Sequence, residues 1–162
     1  MTSSHDVFME EIVVKASEIE EARVEAEAML ADAGIVLSTS EEIEITDFGK
    51  KEYRKTGLGL VVRLNEQEYA SKWLTLLPGQ SCPNHFHKII KETFFIISGD
   101  VRMELGEKIV EMKPSDKITL PAGTWHKFSS ANGAVIEEIT THQVKDDSYF
   151  EDPSIERYVT IE

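Results

Sequence analysis

The amino-acid sequence predicts an all-β sandwich or barrel preceded by an α-helical segment. Residues 6–33 contain strong helix formers and neither glycine nor proline. After Gly34 the chain changes to short runs rich in β-branched and aromatic residues, and turn clusters such as "PGQ", "SGD" and "PAG" separate these runs. Many short strands at close spacing are typical of an all-β sandwich or barrel and not of βαβ units.

Length and charge limit the possible partners and the compartment. The 162 residues suffice for one core, so we expect a helical segment over residues 1–34 and a barrel with its tail over residues 35–162. A net charge of −13 disfavours nucleic acid and anionic membranes as partners. Cys82 is the only cysteine, the N-terminus does not resemble a signal peptide, and no apolar run is long enough to span a bilayer. We therefore expect a cytoplasmic protein.

The helix is expected to be amphipathic, in one piece or in two. Its predicted buried positions recur at roughly helical spacing: Ile12, Ala16, Ile19, Ala26 and Leu30. Ser4 or Asp6 is a candidate N-cap, and Gly34 stands where a glycine would end the helix. The glutamates on the other face predict a solvated surface.

Composition and flanking turns predict six strands, at 57–64, 69–77, 93–98, 101–105, 117–120 and 134–140. We expect five aromatic residues to fill the barrel core, with the mouth of a pocket as the alternative for Trp125: Trp73, Phe86, Phe94, Phe95 and Trp125. The tail "KDDSYFEDPSIERYV" is polar. It is predicted to be irregular and to wrap the barrel or lie in a groove of a partner.

A cluster of potential metal ligands lies in the stretch "PNHFHKIIKETF", residues 83–94. Alternate residues of a strand project to the same face, so His85 and His87 present two imidazoles side by side, and a short loop returns Glu92 to the same place. Two imidazoles and one carboxylate form a divalent-metal set that leaves coordination positions open. His126, just after the turn in "LPAGTWHKF", is the candidate fourth ligand. Two histidines one residue apart are a weak signal alone, and ordinary polar roles are the alternative.

A longer arrangement around these residues strengthens the metal interpretation. Five residues separate Gly79 from His85, one separates His85 from His87, four precede Glu92 and six more precede Gly99. This spacing resembles the first motif of the cupin superfamily at every named position.

A second stretch, "SDKITLPAGTWHKFSS", resembles the second cupin motif through Pro121, Gly123 and His126. It departs from that motif at Ser115, where the motif has glycine, and at Ser130, where it often has asparagine. The resemblance implies a double-stranded β-helix, or jelly roll, with the metal inside the barrel. It also implies a homodimer.

Most of the chain further resembles the short bacterial D-lyxose isomerases among the sugar-isomerase cupins. Stretches such as "SKWLTLLPGQSCPNHFH", "GAVIEEITT" and "YFEDPSI" carry this resemblance. The cupin of sialic-acid-type (nonulosonate) pathways is similar too, and has a comparable "KDDSYFEDPSI" ending. The loop between His87 and Glu92 is shorter than in typical lyxose isomerases.

This resemblance implies a metal-dependent aldose–ketose isomerisation of a small sugar. The cation would chelate the C1 and C2 oxygens of the sugar, and a carboxylate would carry a proton between C1 and C2. Alignment with the isomerases assigns that carboxylate to Glu138, and Lys91 is implied as a donor to a substrate oxygen, with a surface position as its alternative. Manganese is the metal we expect, and zinc, iron, nickel and cobalt also suit these ligand types.

Strand parity by itself leaves two candidates for the base. If "ANG" is a three-residue hairpin loop with Gly133 in the left-handed conformation, Glu138 lies opposite His126 and shares its inward face. If "NG" alone forms the turn, Glu137 faces inward instead.

Two other functions fit the same ligand set. One is an accessory sugar-binding cupin of a nonulosonate pathway, which binds without turnover. The other is an iron dioxygenase, for which three histidines and a glutamate would also serve.

Overall fold

The computed structural model describes residues 4–155 of the chain, and the side chains from residue 18 onward. The described range contains the following elements in chain order: α1 Ser4–Asp32, β1 Glu44–Thr46, β2 Leu58–Asn65, β3 Tyr69–Leu76, β4 His85–His87, β5 Glu92–Gly99, β6 Val101–Leu105, β7 Lys108–Met112, β8 Lys117–Leu120, β9 Lys127–Ser129, β10 Ala134–Thr141 and β11 Ser148–Phe150. Among these residues no helix combines the length and the apolar character that crossing a bilayer requires.

The strands form two layers around one core. One layer is a six-stranded antiparallel sheet in the order β1-β2-β3-β10-β5-β8, and two smaller sheets, β7-β6-β9 and β11-β4, form the other. Isolated bridges from Ser81 to Ser129 and from His85 to His126 join the smaller sheets. Buried side chains from both layers share one hydrophobic cluster: Leu58, Leu74, Leu76, Cys82, Phe94, Ile96, Val101, Met103, Met112, Leu120, Phe128, Ala134 and Ile136. The two-layer jelly roll confirms the predicted all-β barrel.

The six predicted strands are present, and none of their ends is displaced by more than one residue. Strand β4 confirms the extended conformation expected for "HFH". The prediction of an irregular tail was wrong for β11, which pairs antiparallel with β4 in the register Ser148↔His87. Its polar composition concealed it, because the backbone pairing with β4 and not a hydrophobic alternation makes this segment a strand.

Helix α1 is continuous and covers the outer face of the six-stranded sheet. It ends at Asp32, and Gly34 follows the helix end with a φ of 79°. The N–H of Ile35 donates to the carbonyl of Leu30 at 3.0 Å, as a Schellman C-terminus requires. The helix and the sheet bury a second cluster between them: Ala22, Ala26, Leu30, Ile43, Ile45, Val61 and Val135. The predicted caps Ser4 and Asp6 lie outside the described side chains.

Gly99 and Ser115 are turn positions in the two stretches that resemble the cupin motifs. Gly99 ends β5 with a φ of 81°, and a Cβ there would collide with the carbonyl oxygen of Gly133. Only glycine fits this position. Ser115 has a φ of 78° where the motif has glycine, and an L-residue with a side chain costs about 1–2 kcal/mol in that conformation.

Candidate metal centre

The four predicted ligands converge inside the barrel. Strand β4 carries His85 and His87 on one face, Glu92 opens β5, and His126 pairs with His85 just before β9. The ligand nitrogens of the three histidines lie within 4.8 Å of one another. Glu92 reaches between two of them, with Oε1 3.1 Å from Nε2 of His87 and Oε2 3.0 Å from Nε2 of His126. The strand pairing therefore gathers all four side chains at one place.

A backbone carbonyl supports each imidazole from behind. Nδ1 lies 2.7 Å from a carbonyl oxygen in His85, 3.1 Å in His87 and 2.9 Å in His126. The accepting carbonyls belong, in the same order, to Pro83, Asp147 and Thr124. Because a carbonyl oxygen only accepts, each Nδ1 carries the hydrogen, and the lone pair of a neutral ring is then on Nε2.

This donor set fits a divalent cation. Nε2 of His87 and Nε2 of His126 are buried, and neither has a hydrogen-bond partner among the described residues. The oxygens of Glu92 lie close to both nitrogens, at 3.1 and 3.0 Å. Lone pairs and a carboxylate that face one another repel unless a positive charge lies between them. Imidazole nitrogens and a carboxylate are ligands that first-row divalent metals accept.

The surroundings favour the protonation states that metal binding requires at His85 and Glu92. Burial, together with the neighbouring His126, lowers the pKa of His85 to about 3, so His85 is neutral. Burial raises the pKa of Glu92, but His126 and His87 outweigh this effect and hold it well below its usual range. Burial lowers the pKa of His87, whereas Glu92 raises it above its usual value overall. A neutral His85 and an ionised Glu92 are ready to act as ligands.

A second carboxylate, that of Glu138, lies inside the barrel. The register of β10 sets Glu138 opposite Lys72 of β3 and opposite Phe94 of β5. The residue is 8% exposed, and Nζ of Lys72 lies 3.4 Å from its Oε1. Burial raises the pKa of Glu138, Lys72 lowers it and Glu92 raises it, and the net result lies above the usual value.

Glu137 points to the opposite face of the sheet. Its Oε1 lies 2.7 Å from Nη1 of Arg63, whose guanidinium lies over the ring of Trp73. The parity argument assumed a hairpin between β9 and β10, and that premise was wrong. Strand β9 pairs with β6 in one layer, and β10 pairs with β3 and β5 in the other. Gly133 does have a positive φ, 94°, but its loop crosses between the layers.

The structure distinguishes two lysines near the site. Lys91 is exposed, and its N–H donates to Oγ1 of Thr141 at 3.1 Å. Its side chain thus lies at the surface, and its role as a substrate donor stays a prediction. Lys72, which sequence reasoning missed, faces inward and also places Nζ 3.4 Å from Oε1 of Gln143. The sequence did contain a signal for it, because in "SKWLTL" the lysine occupies one of the alternate positions that are otherwise apolar.

Aromatic rings lie on both faces of the second layer. Phe150 is 5.6 Å from the ring of His85 and 5.9 Å from that of Phe48, so it forms an apolar wall beside the ligands. The expected core position was wrong for Phe86 and Trp125. Their rings contact each other at 4.6 Å on the outer face, because each residue is adjacent in sequence to an inward-facing histidine.

Comparison with known proteins gives matches along nearly the whole chain. The cupin domain model matches residues 72–137, which include the four predicted ligands. The D-lyxose/D-mannose isomerase of Thermosediminibacter oceani is 30% identical over 93% of this chain and 99% of its own. The D-lyxose ketol-isomerase of Cohnella laeviribosi is 27% identical over 92% of this chain and 98% of its own.

Solved structures give a likeness of fold. The structure of Cellulomonas parahominis L-ribose isomerase with L-ribose superposes with a TM-score of 0.70 at 14% identity. The match covers 84% of this chain and 92% of that one.

Proposed function

Because the chain belongs to the D-lyxose isomerase family of cupins, we propose that it is a metal-dependent isomerase that interconverts an aldose and the corresponding ketose. The observation that carries this proposal is a second interior carboxylate. Glu138 is buried and lies beside Lys72, in addition to the carboxylate of Glu92 among the histidines. A metal site needs only its ligands, whereas moving a proton between two carbons of a sugar also needs a positioned base.

We assign the metal to His85, His87, Glu92 and His126. The convergence of these side chains, and the buried Nε2 atoms without hydrogen-bond partners in the described range, support this assignment. A divalent ion held there, for which manganese is our first expectation, would act as a Lewis acid on the C1 and C2 oxygens of the sugar. The backbone carbonyls behind the imidazoles hold the rings in one orientation. The ligand side chains would therefore lose little conformational entropy when the metal binds.

Glu138 is the proposed base that takes the proton from C2 and returns it at C1. Lys72 places a positive charge 3.4 Å from that carboxylate. Its ammonium group is therefore placed to donate to a sugar oxygen on which negative charge develops. The ring of Phe150, beside His85, offers an apolar surface to the C–H groups of the sugar.

The relatives' names make free D-lyxose and D-mannose the first substrates to test. The experiment is a panel of pentoses and hexoses with their N-acetylated and nucleotide-linked forms, incubated in deuterated solvent with protein of known metal content. Nuclear magnetic resonance follows exchange of the C2 proton and appearance of the ketose. We expect both with at least one free pentose or hexose. Tight sugar binding without exchange would favour an accessory sugar-binding cupin, and oxygen consumption by the iron-loaded protein would favour a dioxygenase.

A further inference from the structure

We propose that Asp147 is a positioning residue that holds two of the metal ligands, His87 and Glu92, in place. The inference rests on the proposed metal site and gives that site a support in the C-terminal tail. Asp147 follows His87 by 60 positions in the sequence, yet it contacts both the imidazole and the loop that leads to Glu92.

The carboxylate of Asp147 binds the loop between the two ligands. Oδ1 accepts the N–H of Lys88 at 3.0 Å, and Oδ2 accepts the N–H groups of Ile89 and Ile90 at 3.0 and 2.9 Å. Asp147 is only 3% exposed, so water does not replace these bonds easily. The loop is short, and its conformation decides where Glu92 begins relative to His87.

The backbone of the same residue supports the imidazole of His87. The carbonyl oxygen of Asp147 accepts Nδ1–H of His87 at 3.1 Å, and Oγ of Ser148 lies 3.4 Å from the same nitrogen. His85 and His126 differ, because each takes its carbonyl support from the residue two positions before it. Among the three histidines, the orientation of His87 is the one that depends on a distant segment of the chain.

The two contacts of Asp147 act together. Its carboxylate ties the residue to the loop, and this keeps its carbonyl opposite the ring of His87. Without the carboxylate, three backbone N–H groups lose their acceptor and the carbonyl loses its fixed position. His87 and Glu92 then gain freedom that metal binding must remove, so metal affinity should fall in addition to any loss of stability.

The variant Asp147→Asn tests this inference. Asparagine keeps the volume and one acceptor oxygen. Its NH₂ group, however, is a donor and would face N–H groups of the loop that are donors as well. We expect the dissociation constant for Co²⁺ to rise about 10- to 100-fold, measured on metal-free protein by competition with a chromophoric chelator. The visible spectrum of the bound cobalt should also change, because it reports the coordination of the ion.

Asp152→Asn is the matched control in the same tail. Asp152 binds Nζ of Lys50 at 2.6 Å and makes none of the contacts with the ligand loop or with His87 that Asp147 makes. It should loosen the tail while leaving cobalt affinity and spectrum unchanged. Equal cobalt affinity in wild type and Asp147→Asn would overturn the inference and leave the metal site intact. A wild-type protein that binds no cobalt would overturn both.

Hydrogen exchange on the wild type supplies the same test if Asp147→Asn does not fold. If metal binding depends on the contacts of Asp147 with the loop and with His87, a bound metal must in turn stabilise those contacts, because the coupling between them is reciprocal. Cobalt should therefore slow exchange of the backbone amides of Lys88, Ile89 and Ile90, and should leave those of the β6–β7 hairpin unchanged. Equal slowing in both places, or none at the loop, would contradict the inference.

Discussion

Nζ of Lys72 lies 3.4 Å from Oε1 of Glu138 in the interior of the barrel. Their strands, β3 and β10, are neighbours, and the register sets the two residues directly opposite each other. The side chains are 23% and 10% exposed, so their attraction is screened less than that of a surface ion pair. The proposed site thus has a base with a cation at its side, separate from the carboxylate among the histidines.

Glu138→Gln should abolish isomerisation while keeping the fold, the metal and sugar binding. Glutamine has the same volume and one acceptor oxygen, but it cannot take a proton. We expect exchange of the C2 proton to slow by about 10²–10⁴-fold, the usual contribution of a positioned base. Glu137→Gln is the control, because Glu137 pairs with Arg63 on the outer face. If the two variants behaved the other way round, Glu137 would be the base.

Lys72→Met should lower kcat by about 10²-fold or more, because it removes a donor and a positive charge from the place where negative charge develops. Methionine keeps an unbranched side chain in the same space. Steady-state kinetics should show a smaller change in KM than in kcat. Lys91→Met serves as the comparison at an exposed position. A large loss in Lys91→Met, with Lys72→Met nearly normal, would restore Lys91 as the substrate donor.

The purified protein should carry about one divalent metal ion per chain, and the double variant His87→Ala, His126→Ala should lose it. Elemental analysis checks the metal, and circular dichroism checks that the variant is folded. His142→Ala removes an exposed histidine that directly follows β10 and should keep the metal. A folded double variant with its full metal content would rule out the assigned ligands.

Gly99→Ala should destabilise the protein much more than Gly79→Ala. Both glycines have a φ of 81°, so both substitutions cost about 1–2 kcal/mol in the left-handed conformation. A Cβ at Gly79 meets nothing within 4 Å, whereas one at Gly99 collides with the carbonyl of Gly133. The total cost at Gly99 should therefore exceed about 3 kcal/mol. Urea unfolding measures both, and equal costs would contradict this account.

Sedimentation velocity at micromolar concentration should show a homodimer. The six-stranded sheet ends at β1 and β8, and folded proteins commonly protect such edges or cover adjoining surfaces in a symmetric partner. A monomer under these conditions would refute the expectation.

The sequence by itself determined the positions of six of the strands and the four candidate ligands. Alternation along "HFH" places His85 and His87 on one face, and the return of Glu92 takes only a short loop. These are local features, since a strand has a period of two whatever it pairs with. The second motif stretch then supported His126, and the spacing of the first motif marked Gly99, whose glycine requirement the contact with Gly133 explains.

Only the tertiary structure decided which of the neighbouring side chains face the proposed site. Glu138 is inward because of its register with β3 and β5 and not because of the turn before it, and Lys72 enters by the same pairing. Asp147 reaches His87 because β11 pairs with β4, although its segment has no hydrophobic alternation. Composition and periodicity describe one segment at a time. The partner of a strand is set by contacts between residues far apart in the chain, and a shift of one residue in that pairing reverses the face of every side chain.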